Sequence, residues 1–544
     1  MNGTLVLLVV IVSIAVTGLA KRRDLQVPLV LVAVGSAASF IPGMPRLELA
    51  PEVILGLVIP PLLYSAALDF SLASLRRNFA PILRLGVGLV LVTAFAVGFF
   101  ANWLVPELTL GAALVLGSVV SPTDAVSAVS VGRKLGLPRR VLAILTGEGL
   151  LNDATALTLF TVSVAAVAGT RVFVEQPVLF FLYEVAGGVA VGYVMATVVR
   201  FVRARMYDSP LETVLGLVLP FAAYLAAEQI HTSGVLAVVV AGFLMGHHAT
   251  DVSIPTRLQE RSLWDTLDLL LEMFVFAYMG LQLKFVIDDV ADEGLPVHHV
   301  FAYGFAVLAM VILVRPLWVF LNWGQTRLRF ALRHGSAPAG LTWKQKLVVS
   351  WAGMRGVVTL AAAGGVPVLT AAGDPFPGRG VIQAIAFVVA VGTLLIQGAT
   401  IPFLIERLDV ADPAEAERAR QQTQLARRIS AEAADQALAE VAAGPPPGVD
   451  PDQFVRALNR VRVSIRAQAQ VTEAEDDDNG GPVKLHQATA LFDSVRRRVL
   501  RAQRSALIQA RDEGFLDDEV LRAELESRDI EEAAAEQRVR RRRG

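Results

Sequence analysis

Cysteine is absent from all 544 residues, which excludes disulfides, thiolate chemistry and cysteine-ligated metal. Charge is also scarce: Asp, Glu, Lys and Arg make up 18% of the chain, against about a quarter in soluble domains. The formal sum is −1, so no excess of either sign points to nucleic acid or to an acidic partner. The chain also lacks a glycine-rich phosphate loop and any visible nucleophile–base–acid set. That argues against an ATP-driven pump, a membrane hydrolase or any other enzyme, and it implies no bound cofactor. What is abundant is apolar surface, with 54% hydrophobic residues and a mean hydropathy of +0.54. Many of these residues fall in runs of about 20, the length that crosses a bilayer as a helix. The expected fold class is therefore an all-α polytopic membrane protein, because a helix satisfies its own backbone in lipid.

Hydropathy predicts about thirteen transmembrane helices, near 3–19, 27–43, 51–68, 80–103, 108–131, 141–168, 178–200, 211–229, 231–247, 263–288, 298–322, 345–370 and 380–405. The first run is followed by Lys21-Arg22-Arg23 rather than preceded by basic residues, so it reads as a spanning helix and not as a cleaved signal. Charge asymmetry then sets the orientation. Thirteen crossings with the N-terminus outside put Arg76-Arg77, Arg133-Lys134, Arg139-Arg140, Arg203 with Arg205, Arg257 with Arg261, and Arg327, Arg329 and Arg333 in the cytoplasm. The opposite loops hold Arg46, Arg171 and Arg379, and the acidic run from Asp288 to Glu293. Composition changes abruptly near Leu408, dividing a transmembrane part, 1–408, from a helical cytoplasmic tail, 409–544, rich in Ala, Glu, Arg and Gln. Breaks at Gly444 to Gly448 and Glu473 to Gly481 divide the tail, which ends in the basic run Arg538 to Arg543. The tail reads as a solvated or dimer-contacting extension.

Two helices are interrupted in matching places of the two halves, and the arrangement is read as inverted repeats with two crossing broken helices. The first interruption is Ser121-Pro122-Thr123-Asp124, where Pro122 removes a backbone donor. The second is Gly353-Met354-Arg355-Gly356. Unwound backbone frees carbonyls for a hard cation, and the opposed half-helix dipoles need compensating charge, which Asp124 and Arg355 can supply. Between these breaks lies Gly147-Glu148-Gly149-Leu150-Leu151-Asn152-Asp153. On a helix Glu148 and Asn152 share a face, while Asp153 is turned about 100° further round, with Gly149 one turn before it. Carboxylates in hydrocarbon are costly and mark binding or transport. Asp153 is expected to face the cation path, where a proton and a sodium ion compete for one carboxylate. Glu148 is expected to form a structural ion pair, with Arg355 as first candidate partner and Arg315 as second, because a buried arginine stays charged. Glu272 in the tenth span is read as functional or interdomain. His247-His248 reads as an interface pair, and Tyr64, Trp264, Trp318 and Trp351 as including membrane-belt anchors.

Ser121-Pro-Thr-Asp124, Gly147-Glu-Gly-Leu-Leu-Asn152-Asp153 and Trp351-Ala-Gly-Met-Arg355-Gly together resemble the monovalent cation/proton antiporter-1 family, the sodium/proton exchangers. Pro60-Pro61-Leu62-Leu63-Tyr64, Arg315-Pro316 and Ile396-Gln397-Gly398-Ala399-Thr400-Ile401-Pro402 fit it as well, and the likeness covers roughly residues 1–408. The resemblance implies a homodimer in the cell membrane that moves monovalent cations and protons by an elevator-like alternating access. It implies that Asp153 binds Na⁺ or exchanges the proton, that Thr123 and Asp124 stand near the ion with Ser121 beside them, and that Glu148 pairs with Arg355. Asn152 stands where electrogenic relatives carry a second aspartate, so one-for-one, electroneutral exchange is expected. Two positions depart from the family. Several prokaryotic members have a serine ligand where this chain has Gly149, and others have a glutamate where Ser65 follows Tyr64, with Asp69 one turn on. A cation channel and a cation-sensing membrane scaffold are the alternative functions.

Overall fold

The computed structural model describes residues 3–23, 25–47, 50–170, 176–206, 208–292, 296–332, 341–410, 413–443, 454–455, 458–459, 482–526 and 528–529. Arg171, Glu293, Arg333, the two tail breaks and the terminal basic run lie outside these. Among the described residues the regular structure is helical throughout, apart from one isolated bridge between Leu369 and Pro375.

In chain order the first helices are α1 (Gly3–Arg22), α2 (Val27–Ser39), α3 (Pro51–Leu68), α4 (Leu72–Leu104), α5 (Leu110–Val120) and α6 (Ala125–Lys134). They are followed by α7 (Arg139–Ala168), α8 (Pro177–Arg203), α9 (Ser209–Gln229), α10 (Gly234–His247), α11 (Ile254–Leu281) and α12 (Leu283–Asp292). Then come α13 (Val297–Leu332), α14 (Trp343–Trp351), α15 (Val357–Gly364), α16 (Arg379–Leu408), α17 (Pro413–Ala442) and α18 (Pro482–Asp512). Local chemistry sets many of these ends. Thr109 accepts from the Ala112 N–H to cap α5, and Thr342 with Gln345 forms a capping box on α14. Gly169, at φ +70°, closes α7 in the left-handed conformation that only glycine adopts without strain.

Nine stretches among the described residues are long and apolar enough to cross a membrane. The other four expected crossings are of two kinds. Helices α2 and α10, of 13 and 14 residues, are shorter than the roughly 20 residues that span hydrocarbon. The remaining two are broken, as α5–α6 and α14–α15, each interrupted where the sequence carries its proline or its glycines. Large apolar side chains stay exposed on several helices, among them Leu7, Ile11, Phe99, Leu182, Tyr193, Phe201, Leu313 and Leu317. Aliphatic surface of this extent is stable against lipid and not against water.

The chain divides into two compact units. The first comprises 1–249 and 260–411, the second 250–259 and 412–544. In the first unit, Val115, Leu116 and Val119 of α5 join Val307, Val311, Ile382 and Ile385 of α13 and α16 in one core. Tyr64 of α3 packs with Ala196, Leu219, Ala223 and Ala237 of α8 to α10 and with Trp264 of α11 in another. Tyr64 and Trp264 are buried with their rings 5.0 Å apart, so these two are core residues and not belt anchors. In the second unit α17 and α18 share apolar seams, Ala434, Leu438, Val495 and Val499 in one and Ala426 and Leu507 in the other, which Leu521 from the following segment joins. There Asp529, buried, accepts from Arg257 Nε at 2.6 Å and from Arg504 Nη2 at 2.8 Å.

Candidate ion site at two broken helices

Helix α7 runs unbroken past both interruptions and carries Glu148, Asn152 and Asp153, all buried, at 1%, 0% and 6% exposure. Pro122 offers no N–H to continue α5, and the backbone from Ser121 to Asp124 leaves the helix before α6 begins. The second break, Ala352 to Gly356, lies against it. The Asp124 N–H donates to the Met354 carbonyl at 2.7 Å, and Arg355 Nε donates to the Val120 carbonyl at 3.0 Å. The two unwound segments are therefore tied to each other through their own backbones.

Charge falls where the half-helix ends need it. Val120 is the last residue of α5, and its carbonyl has no partner one turn on, so the Arg355 guanidinium occupies the negative end of that half-helix. Asp124 lies against Gly356, the residue that opens α15. A Cβ on Gly356 would stand 2.9 Å from the Asp124 Cβ and 3.1 Å from its Oδ2, so glycine is required for this approach. A carboxylate at that point offsets the positive helix terminus.

The partner of Glu148 differs from the first expectation. Arg315 grips it in a bidentate pair, with Nη1 on Oε1 and Nη2 on Oε2 at 2.7 Å, both residues being 1% exposed. Arg355 instead spends its donors on the carbonyls of Val120 and Gly353 and is held through its own N–H by Thr393 Oγ1 at 2.9 Å. The physical reason is access. Gly353 has no side chain, and a Cβ there would come within 2.7 Å of Arg315 Cδ, so this glycine lets Arg315 reach past the break. Arg315 Nε also donates to the Val349 carbonyl at 2.9 Å, near the end of α14. Each arginine thus satisfies a carbonyl at the end of one half-helix, and Arg315 has the fork left for Glu148.

Thr123 and Asn152 complete the locked side. Thr123 Oγ1 donates to Glu148 Oε1 at 2.9 Å, and Asn152 Nδ2 donates to the Thr123 carbonyl at 2.7 Å and to its Oγ1 at 2.9 Å. Ser121 Oγ donates back to the Ser118 carbonyl at 2.9 Å and does not line the cavity described next.

On the other face of α7 is a cavity of about 260 Å³ lined by Asp153, Gly149, Thr123, Asp124, Gly356 and Thr359. Glu148, Asn152, Arg315 and Arg355 do not line it. Asp153 has no hydrogen-bond or ion-pair partner among the described residues. Glu272 of α11 also reaches this cavity, and so do Asp69 and Ser65 of the third span region. Sequence reading missed Asp268, which accepts a short hydrogen bond from Ser65 Oγ and lines the same space. Its spacing held the signal, because Asp268 and Glu272 are one turn apart on one helix face. Carboxylates and hydroxyls around one small cavity are a donor set for a hard, oxygen-seeking cation.

Residues 7–407 match the family described as sodium/hydrogen exchanger, transmembrane. The chain belongs to this family. An uncharacterised Na⁺/H⁺ exchanger of Mycobacterium tuberculosis is 36% identical over 537 residues, which cover 97% of this chain and 95% of that protein. The sodium, potassium, lithium and rubidium/H⁺ antiporter of Bacillus subtilis is 32% identical over 420 residues, 75% of this chain and 62% of that one. Among solved structures, the sodium proton antiporter MjNhaP1 of Methanocaldococcus jannaschii at pH 8 aligns with a TM-score of 0.59 at 20% identity. That alignment spans 74% of this exchanger and 98% of the archaeal chain, and it shows the shared fold. A multi-pass membrane transporter, and not an enzyme, is what membership in this family makes of the chain.

Proposed function

We propose that this exchanger moves Na⁺ against H⁺ across the cell membrane, with K⁺ and Li⁺ as alternative cargo, and that Asp153 is the carboxylate both ions share. One observation carries the reading: Asp153 faces a cavity without a partner, while Glu148, five residues earlier on the same helix, is fully neutralised by Arg315. An unpaired carboxylate in a low-dielectric site favours neutralisation by a proton or by a cation, so loading one expels the other. Thr123 and Asp124 shape the ion's surroundings, and Asp69, Asp268 and Glu272 add further carboxylates at the cavity wall. Exchange then needs only that the site face one side of the membrane at a time. Thirteen crossings, an outside N-terminus, a cytoplasmic tail, inverted repeats, a homodimer and elevator-like movement of the broken-helix bundle complete the proposal. With Asn152 uncharged and turned from the cavity, one proton per monovalent cation makes the exchange electroneutral. A site built around one unpaired, buried carboxylate favours exchange over channel conduction. The test is dye-reported proton flux in proteoliposomes, with Na⁺, K⁺ and Li⁺ each offered at several pH values. Cation-driven flux that vanishes in Asp153→Asn is the expected result, and flux retained in that variant overturns the assignment.

A further inference from the structure

Helical serine and threonine hydroxyls in an apolar setting normally donate back to the carbonyl one turn earlier. Most of those here do so: Thr155 to Leu151, Thr158 to Ala154, Ser350 to Lys346 and Thr393 to Val389, all at 2.7–3.0 Å. Thr359 is different. It is 0% exposed, and its Oγ1 has no hydrogen-bond partner among the described residues. The cause lies in the break. Thr359 is the third residue of α15, so Arg355, four residues before it, belongs to the non-helical segment and presents no carbonyl in helical register. The hydroxyl lines the same cavity as Asp153 and Gly149. Thr17 and Thr93 also lack partners, but neither borders this cavity.

A buried hydroxyl without a partner is unfavourable, a penalty that a bound cation removes. Gly149, one turn before Asp153, contributes no side-chain oxygen to the cavity, and Thr123 Oγ1 is already engaged by Glu148 and Asn152. We propose that Thr359 Oγ1 is a direct ligand of the transported cation and a determinant of which monovalent cation this exchanger prefers. The proposal rests on the reading of Asp153 as the ion carboxylate. A neutral hydroxyl suits this place because it adds a donor oxygen without adding charge, which leaves the exchange stoichiometry to Asp153.

The experiment uses the purified full-length protein in proteoliposomes and measures initial proton flux against Na⁺ and Li⁺ concentration. Thr359→Val, which keeps the shape and removes the oxygen, is expected to raise the half-saturating Na⁺ concentration by about tenfold, as loss of one hydrogen-bonding ligand to a charge implies. The maximal rate should stay within about twofold, and the Na⁺-to-Li⁺ ratio of half-saturation should change. Thr359→Ser should stay near the parent, and Gly149→Ser/Thr359→Val should recover part of the lost affinity by returning a hydroxyl to the cavity. An unchanged half-saturation in Thr359→Val overturns the proposal, and so does equal damage in Thr359→Ser, which would make the methyl group the important part. Should the valine variant not fold, Na⁺-dependent protection of Thr359→Ser and Thr359→Ala against heat decides the matter. Protection kept by serine and lost by alanine supports the ligand, and protection equal in both overturns it. Asp153→Asn measured in parallel separates the two readings. If that variant is active, the site assignment fails; if it is silent while Thr359→Val is normal, only the threonine proposal fails.

Discussion

The two faces of α7 carry the same kind of group in opposite circumstances. On one face Glu148 is held by Arg315 and Thr123, and Asn152 donates to Thr123 away from the cavity. On the other, Asp153 stands on a cavity beside Gly149, with hydroxyls and carboxylates around it and no fixed partner. Both carboxylates are buried, so burial does not distinguish them. The cationic partner does. A carboxylate that is permanently paired holds helices together, and one that is not must find its counter-charge among mobile ions. The unpaired carboxylate and the clamped one are thus separated by about 140° of rotation on one helix.

The comparison can be broken most decisively at Asp153. Asparagine there should lower cation-driven proton flux at least about a hundredfold while the protein keeps its parent melting behaviour, because no fixed ion pair is lost. The reverse pattern is expected on the closed face. Glu148→Gln or Arg315→Gln each leaves one buried charge unpaired and should cost about 3–5 kcal/mol of stability, read by thermal unfolding in detergent. The Glu148→Gln/Arg315→Gln double variant should be less damaged than the sum of the two, and strict additivity would mean that the pair is not coupled. Arg355→Gln should cost less, about 1–3 kcal/mol, since its partners are carbonyls and not a carboxylate. Equal damage at Arg355 and Arg315 would undo the assignment of the pair. Smallest in its effect on transport chemistry is Asn152→Asp. Asn152 donates two hydrogen bonds away from the cavity, so the new carboxylate should weaken packing by about 1–3 kcal/mol. It should leave exchange insensitive to membrane potential. A potential-dependent rate in that variant would place the residue on the ion's side after all.

Much of this was legible from residue order. Periodicity and run length mark the helices, because lipid demands about 20 apolar residues whatever the fold. Pro122 and the glycines around Arg355 mark both interruptions, since the missing donor and the missing side chain act locally. The division of Glu148 from Asp153 follows from helix geometry alone. The choice between Arg315 and Arg355 did not follow. Both lie far along the chain from Glu148, and residue order cannot rank two distant arginines. It is decided by Gly353, whose bare backbone opens a path for one, and by Val120, whose open carbonyl holds the other.

Asp268 and Thr359 teach the same lesson. Asp268 is set apart from the other acidic residues of α11 by Ser65, which donates to it from a distant helix. Nothing in residue order marks Thr359, whose Oγ1 is left without a partner next to the break. By itself the sequence determined that the chain is a helical membrane protein, where two of its helices break and that α7 carries carboxylates on two faces, since each depends on near neighbours and on the solvent. Which carboxylate is clamped, which hydroxyl is left over and which groups share one cavity were decided only by the tertiary structure. Those outcomes depend on contacts between helices more than a hundred residues apart, where a side chain's reach is set by the backbone it must pass.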